Sequence, residues 1–459
     1  MSIEFNTSLV QKYDTFGPRY TSYPTAVQFG NLFKESDYLQ EIELGNSAKN
    51  PLSLYFHIPF CKSLCFYCAC AKIITHKQER SIPYLERLNV EITKQAALYN
   101  DDREVTQLHF GGGTPTFLTD DQFSNLLANI NSNFSLAPTE RREFSIEIDP
   151  RAVRDSTIPL LRELGFDRIS LGVQDFDPKV QKAVNRIQSV EQTFAVLDSA
   201  RSLGFRSTNL DLIYGLPFQT VETFSQTLDL ILAKRPERLA VYSYAHMPAK
   251  VKSQSLININ DLPSAREKLA ILEMTVERLR AEGYVYLGMD HFALPDDDLA
   301  LAKINGTLQR NFQGYSTHAD TDLIGMGMTA IGKVKDCFVQ NVHDEAEYFA
   351  RIDSGKLALE KGYMLSKDDK IRRDVIQSLM CQTSLNYADI EKKHQIAFTD
   401  YFQNELQRLE PLVIDNLVKV DGKGIEVTNA GQFLLRNIAM VFDAYLDVAQ
   451  PGKHFSKAI

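Results

Sequence analysis

Cys61-Lys62-Ser63-Leu64-Cys65-Phe66-Tyr67-Cys68-Ala69-Cys70 holds four of the chain's six cysteines. Upstream, Leu52-Ser-Leu-Tyr-Phe-His-Ile58 reads as a buried strand, and Pro59-Phe60 follows it. The cysteines therefore sit on a loop that leaves the end of a strand. Spaced Cys-x3-Cys-x2-Cys, three thiolates can hold three irons of a [4Fe–4S] cube and leave the fourth iron open to another ligand. A disulfide framework is not expected in a long acidic chain without a signal peptide. A zinc-stabilised binding protein is the alternative from another class. A structural zinc site needs a fourth ligand, which Cys70 or His57 can supply, and normally a second knuckle.

The 459 residues suffice for two or three domains with substantial cores. Hydrophobic residues make up 44% and charged ones 24%, the balance of an ordinary soluble globular protein. The formal charge of −9 argues against nonspecific nucleic-acid or membrane binding as the main task. No apolar run reaches the ~18 residues of a membrane span. Met-Ser-Ile-Glu-Phe-Asn at the start has neither a basic n-region nor an apolar h-region, so a cytoplasmic location is expected. Cys337 and Cys381 stand alone and read as small buried apolar residues.

Strand and helix patterns alternate after residue 50. Strands are expected at 52–58, 105–110, 144–148, 168–172, 207–213 and 238–244, and helices near 80–99, 119–133, 155–164, 189–203 and 220–235. Ser189-x-x-Gln192 reads as a capping box, and Asp155 and Gly165 bracket another helix. Such alternation predicts an α/β fold: a parallel sheet in a partial (β/α)6 barrel. The expected organisation is a leader at 1–50, the barrel at 51–335 and a mostly helical domain at 336–459. A long helix near 264–283 leads to one more strand around Tyr284–His291, expected at the barrel's rim. Asn311-Phe-Gln-Gly-Tyr-Ser reads as a glycine-rich loop. Leu417–Thr428 reads as a hairpin between helices, giving a small winged-helix-like unit. It lacks a basic stripe, so it is expected to be an interaction or lid element and not a nucleic-acid reader. In the leader, Gly17, Pro18 and Pro24 forbid a long helix. Arg19 with Tyr13, Phe16 and Tyr23 makes the leader an aromatic segment that either packs on the core or closes over a substrate.

In parallel sheets of this kind, functional residues gather where the strands end. Cys61, Gly111-Gly-Gly-Thr-Pro115, Glu147 with Asp149-Pro-Arg151, Gln174 with Asp175, Asp211 with Tyr214-Gly-Leu-Pro217, and Tyr244-Ala-His246 all fall there. Tyr55 and His57 alternate along the first strand and share a face. His57 reads either as a satisfied core histidine or as a residue that tunes a cluster or handles a proton.

Cys-x3-Cys-x2-Cys with an aromatic residue, Tyr67, just before its last cysteine resembles the signature of radical S-adenosylmethionine (SAM) enzymes. In that superfamily the open iron chelates the amino and carboxylate groups of SAM, and reductive cleavage of a C–S bond yields a 5′-deoxyadenosyl radical. The other constellations suit SAM as a ligand. Glycine backbone at 111–113 can approach its ammonium group closely. Glu147 and Asp211 offer carboxylates to ribose hydroxyls, and Arg186 a guanidinium to its carboxylate.

Tyr-Phe-His-Ile-Pro-Phe-Cys61, His109-Phe-Gly-Gly-Gly-Thr-Pro115, Ile146-Glu-Ile-Asp-Pro-Arg151, Gly172-Val-Gln-Asp-Phe176, Leu212-Ile-Tyr-Gly-Leu-Pro217 and Gly288-Met-Asp-His-Phe292 together resemble the oxygen-independent coproporphyrinogen III oxidase (dehydrogenase) family nearly end to end. The resemblance implies conversion of two propionates of coproporphyrinogen III to vinyl groups with loss of CO2, giving protoporphyrinogen IX in haem biosynthesis. It implies one [4Fe–4S] cluster and two SAM molecules. It also implies an electron donor such as flavodoxin or ferredoxin, an unidentified electron acceptor, and a monomer. On the same basis, Cys61, Cys65 and Cys68 ligate the cluster. Tyr55, Gly112, Glu147 and Ile331 match positions that contact the cluster-bound SAM. Tyr67, Gly113, Thr114, Gln174, Arg186, Asp211 and Ala245 match those that contact the second SAM. Tyr67 stands where the family often has Phe. Cys70 is the extra thiol, expected to be a spare group or to touch substrate, and it is grouped with His57 and Tyr55 as catalytic. It also separates the chain from related haem chaperone-like proteins, which remain the alternative along with other radical SAM proteins on this scaffold.

Overall fold

Alternate residues of one strand set the layers of the molecule. In β1 (Leu52–Ile58), Leu54, Phe56 and Ile58 are fully buried, while Tyr55 and His57 point to the opposite face. The structure, a computed structural model, describes residues 6–318, 321–446 and Phe455. Five further parallel strands follow β1: β2 (Val105–Gly112), β3 (Glu143–Ile148), β4 (Arg168–Gln174), β5 (Ser207–Tyr214) and β6 (Arg238–Ser243). Register places Phe56 beside Phe110 and Phe110 beside Ile146, so one face of the sheet is an apolar layer. The Phe56 and Phe110 rings stack at 4.8 Å, and Phe110 meets Phe123 of the covering helix at 5.5 Å.

The crossovers are the expected helices: α1 (Ile82–Ala96), α2 (Asp120–Asn133), α3 (Thr157–Glu163), α4 (Val190–Ser202) and α5 (Val221–Lys234). In α1, Tyr84, Leu85, Leu88 and Ile92 are buried at helical spacing. Thr119 and Gln122 close a capping box on α2. Ser189 accepts from the Gln192 amide at the start of α4, which is half of the capping box its spacing predicts; the return bond from the Gln192 side chain is not formed. Asp155 lies ahead of α3, whose N-cap is Ser156.

Beyond the six units, the structure departs from the expected organisation. β7 (Asp322–Met326) pairs parallel with β1 on the side away from β2, so β1 is an interior strand. β8 (Ile331–Val334), β9 (Cys337–Asn341) and β10 (Leu359–Met364) continue the sheet antiparallel. Among these ten strands the order is β10-β9-β8-β7-β1-β2-β3-β4-β5-β6. Residues 336–364 thus carry strands as well as the helix Glu345–Asp353.

Chain contacts divide the molecule into two compact units. The first comprises Phe29–Lys268 and Asp320–Met364, and the second Met1–Gln28, Leu269–Ala319 and Leu365–Ile459. These boundaries differ from those expected at 50 and 335. Glu35–Ala48, within the stretch expected to be leader, is a helix of the first unit, where Asn46 accepts from buried Arg103 at 3.1 Å. Residues 6–28 belong to the second unit. Tyr20 and Tyr23 are core residues there, and Arg19 pairs with Asp290 at 2.5 Å. Residues 6–28 are therefore integral to that unit's packing; residues 1–5 lie outside the described residues.

The second unit is mostly helical, with Ala265–Ala281 entering it from the first and Lys367–Gln382 as its longest other helix. The hairpin Val418–Val420/Gly424–Val427 gains a third strand, Ser384–Asn386. The strand expected around 284–291 is itself a hairpin, Val285–Gly288 with His291–Ala293, because Met289 and Asp290 both take left-handed backbone. Cys337 and Cys381 are buried, as their isolation predicts.

Candidate active site

The cluster loop begins directly after β1 and is tied down from several sides, all within the first unit. Gly113 donates to the Ile58 carbonyl at 2.8 Å. A Cβ at Gly113 would lie 2.6 Å from the Pro59 carbonyl, so only glycine lets the two loops approach this closely. Gly112 adopts φ +115° and passes its backbone beside the His57 ring. Thr114 Oγ1 donates to Cys61 Sγ at 3.4 Å. Lys72 Nζ holds the carbonyls of Cys68 and Cys70 at 2.8 and 3.2 Å.

Two arginines converge on the buried Cys65. Arg151 Nη2 lies 3.4 Å and Arg186 Nη1 3.6 Å from its sulfur. Both guanidiniums also reach Asp149 Oδ2, at 2.7 and 3.3 Å. Burial works to raise the Asp149 carboxyl, but Arg186 and Arg151 overcome it and hold it below its ordinary range. Burial pushes the Cys61 thiol up to about 11, opposed by Thr114. The Cys68 thiol is drawn down by its hydrogen bond with Cys70, whose own thiol is pushed up in exchange. Cys70 is exposed.

Three thiols on one loop, with N–H and O–H donors aimed at two of the sulfurs, suit an iron–sulfur cluster held by Cys61, Cys65 and Cys68. Among the described residues, no three His, Cys, Asp or Glu side chains converge as one bound metal ion would require. A cubane places each thiolate on a separate iron, so the thiols need not meet at a point.

Sheet register builds the surroundings. Tyr55 lies beside His109, and His109 beside Ser145. The Tyr55 and His109 rings stack at 5.9 Å, and His109 Nδ1 meets Ser145 Oγ at 2.7 Å. Glu147 accepts from the Gly112 amide at 3.2 Å and lies 3.5 Å from His109 Nε2. His57 has both ring nitrogens engaged: Nε2 donates to the Ala71 carbonyl at 3.0 Å, and Nδ1 accepts from the Tyr55 hydroxyl at 3.1 Å. Burial lowers its pKa, so His57 is neutral at pH 7 and pins the loop after Cys70. Asp211 accepts from Ser170 and Asn209, each at 2.8 Å; burial pushes its carboxyl up to about 6. Arg186 Nη2 donates to the Gly172 carbonyl at 2.6 Å, beside Gln174, whose φ is +68°.

Tyr67 packs in a cluster with Val180, Val184, Leu216, Tyr244 and Ile257. Gln254, nearly fully buried, donates from Nε2 to the carbonyls of both Tyr67 and Ala245, at 3.0 and 3.1 Å. Ile331 opens β8 after the turn that follows β7.

The expected residues thus come from every strand of the parallel sheet. Asp175 does not join them: it is buried and takes Gln219, Thr227 and the Asp177 amide. Sequence reading missed His109, Gln254 and Lys72 as parts of the site, and it left Arg151 without a role. His109 carried a usable signal, since it alternates with Gly111 on β2 opposite Tyr55. Gln254 carried none, because one of the carbonyls it holds, that of Tyr67, lies 187 residues away in sequence.

Comparison with known proteins agrees with this geometry. Residues 55–231 match the radical SAM superfamily, and residues 365–434 match the HemN C-terminal domain. The chain is 49% identical to the oxygen-independent coproporphyrinogen III oxidase of Pseudomonas aeruginosa over 97% of each chain. It is 48% identical to the protein of that name from Escherichia coli, over 100% of this chain and 99% of that one. A solved structure described as coproporphyrinogen III oxidase (HemN) from Escherichia coli, a radical SAM enzyme, superposes with a TM-score of 0.93 at 47% identity, covering 97% of this chain and 100% of that one.

Proposed function

Because this chain belongs to the oxygen-independent coproporphyrinogen III oxidases of the radical SAM superfamily, we propose that it converts coproporphyrinogen III to protoporphyrinogen IX without O2. The observation that carries this reading is the cysteine loop at the strand ends, held by Thr114, Arg151 and Arg186, in a chain nearly half identical to these enzymes along its whole length. When bound, a [4Fe–4S] cluster and SAM supply a 5′-deoxyadenosyl radical. For each of two propionates, a β-hydrogen and CO2 leave, one electron passes to an acceptor, and a vinyl group remains.

The chain's own residues bind, orient and shield. Cys61, Cys65 and Cys68 hold the cluster. Tyr55, Gly112, Glu147 and Ile331 take the first SAM, and the Glu147–His109–Ser145 chain orients the carboxylate among them. Tyr67, Gly113, Thr114, Gln174, Arg186, Asp211 and Ala245 take the second SAM, with Gln254 setting two of their carbonyls. We assign Cys70, an exposed residue, to contact with the substrate, together with Tyr55 and His57. No helix among the described residues is long and apolar enough to cross a membrane. We take the enzyme to work in the cytoplasm as a monomer, with flavodoxin or ferredoxin as electron donor.

Anaerobic reconstitution with iron and sulfide, then incubation with reductant, SAM and coproporphyrinogen III, tests the reading. Protoporphyrinogen IX and two CO2 per substrate are expected. SAM cleavage with no change in the porphyrinogen would overturn it in favour of another radical SAM activity.

A further inference from the structure

A group of buried cations lies outside the site described above, wholly within the second unit. Arg310 is 5% exposed, and its Nε and Nη1 are enclosed without an acceptor. It sits on a two-stranded ribbon, Gln309–Asn311 with Gly314–Ser316, the stretch that reads from sequence as a glycine-rich loop. Register pairs Arg310 with Tyr315, and the guanidinium lies 4.8 Å from the centre of that ring. The Tyr315 hydroxyl donates to the Met380 carbonyl at 3.2 Å, and its ring meets His291 edge-on at 5.3 Å. Next to His291, Asp290 takes Arg19 at 2.5 Å. Arg436, also buried, donates to the carbonyls of Gly17 and Pro18.

These groups feel one another. Arg436 is brought down to about 10, first by burial and then by Arg19, with Arg310 adding to the effect. His291 is held down to about 4, first by burial and then by Arg310. Asp290 opposes both shifts, but Arg19 already engages it. Asp443, which also acts on Tyr20, takes that residue's hydroxyl at 2.9 Å. Among the described residues, Arg310 Nε and Nη1 thus lack an acceptor, while the neighbouring carboxylates Asp290 and Asp443 are engaged by Arg19 and Tyr20. Buried N–H groups without an acceptor are costly, and buried positive charge without a counter-charge more so. An anion supplied from outside would remove both costs. Arg19 and Asp290 keep 33% and 21% of their side chains exposed, so the cluster has a way in from solvent.

We propose that Arg310, flanked by Arg19 and Arg436, anchors a carboxylate-binding site that holds a propionate of the porphyrinogen substrate. The proposal rests on the substrate assigned above. It gives Arg310 a role in selecting a substrate with several carboxylates, and no part in the chemistry itself. Aromatic and peptide surface from Tyr315 and the ribbon around the guanidinium would lower the local dielectric and strengthen the pair.

The test uses the reconstituted full-length enzyme and Arg310→Gln. The variant should raise KM for coproporphyrinogen III by at least about tenfold, since a charged hydrogen-bonded pair is lost. Iron content, melting temperature and kcat at saturation should stay near wild type. Equilibrium binding of coproporphyrin III, the stable oxidised macrocycle with the same four propionates, is followed in parallel by its fluorescence. Binding by the wild type without turnover would count against the proposed reaction while leaving the carboxylate site standing. Equal affinity in wild type and Arg310→Gln would overturn the site. A rise in wild-type melting temperature with phosphate or succinate, lost in Arg310→Gln while porphyrin affinity is unchanged, would overturn it in favour of a free-anion site. Should Arg310→Gln fold poorly, Arg310→Lys is read instead: weaker porphyrin binding with unchanged kcat supports the site, and unchanged affinity overturns it.

Discussion

Gln254 and Tyr67 are joined by a 3.0 Å hydrogen bond from a buried side-chain amide to a backbone carbonyl, across 187 residues of chain. The same nitrogen holds Ala245, and Gln254 Oε1 accepts from the Met247 amide at 2.5 Å. One side chain thus positions two of the residues assigned to the second SAM.

Gln254→Leu removes these bonds and leaves buried carbonyls unpaired, at about 1–3 kcal/mol for each group. The variant is expected to melt lower yet retain its iron. The ratio of 5′-deoxyadenosine formed to vinyl groups made should rise, measured anaerobically by liquid chromatography. A ratio equal to wild type would show that Gln254 only supports the fold.

The cysteine loop makes a sharper demand. Cys61→Ser, Cys65→Ser and Cys68→Ser should each abolish the cluster and SAM cleavage. Cys70→Ser should keep most of its iron and sulfide but lose decarboxylation. Full cluster content in any of the first three, or loss of the cluster in the fourth, would reassign the ligands.

Gly113→Ala tests the packing beneath the loop. The added methyl would lie 2.6 Å from the Pro59 carbonyl, and backbone cannot yield as a flexible side chain can. Overpacking of this kind typically costs about 1–3 kcal/mol. Urea unfolding should show that loss, together with reduced iron uptake on reconstitution. A wild-type midpoint would mean that the two loops separate freely.

Glu91 gives a prediction about pH. It is buried on α1 and accepts from the Gly327 amide (2.8 Å), Tyr348 (2.7 Å) and Asn341 (2.8 Å), bracing the turn before Ile331. Burial nonetheless raises its carboxyl from 4.5 to about 7. The folded value lies above the unfolded one, so its contribution is fully present below pH 4.5 and is lost as pH rises through 7. The loss is on the order of 3 kcal/mol. Glu91→Gln should be the less stable protein at pH 5 and should close that gap by pH 8. Parallel urea curves at both values check it, and a constant difference would refute the assignment.

Much of the first unit was legible from sequence because its signals are local. Alternation in Leu52–Ile58, the cap at Ser189, and polar residues at strand ends each depend on a few neighbouring residues. The C-terminal ends of strands β1 to β6 therefore gather most of the candidate site residues read from sequence. What stayed hidden depends on partners far apart in sequence. The pairing of β7 with β1 joins Asp322–Met326 to Leu52–Phe56, and no local pattern announces it. The leader divides at Gln28 because Tyr20 and Tyr23 find apolar partners contributed by residues beyond 285, while the helix Glu35–Ala48 finds Arg103.

By itself the sequence determined the chemistry of this protein: the cysteine spacing, the glycines that admit close backbone approach, and the βα alternation that brings both to one edge. These follow from covalent spacing and from the periods of helix and strand. Only the tertiary structure decided which groups are spent and which are left over. His57 is satisfied by Tyr55 and Ala71, Asp175 by its own neighbours, and Gln254 by the carbonyls of Tyr67 and Ala245, while Arg310 is enclosed with two unpaired N–H groups. Burial and hydrogen bonding set those outcomes. Both are properties of the whole packed chain, because the cost of a polar group depends on everything that folds around it.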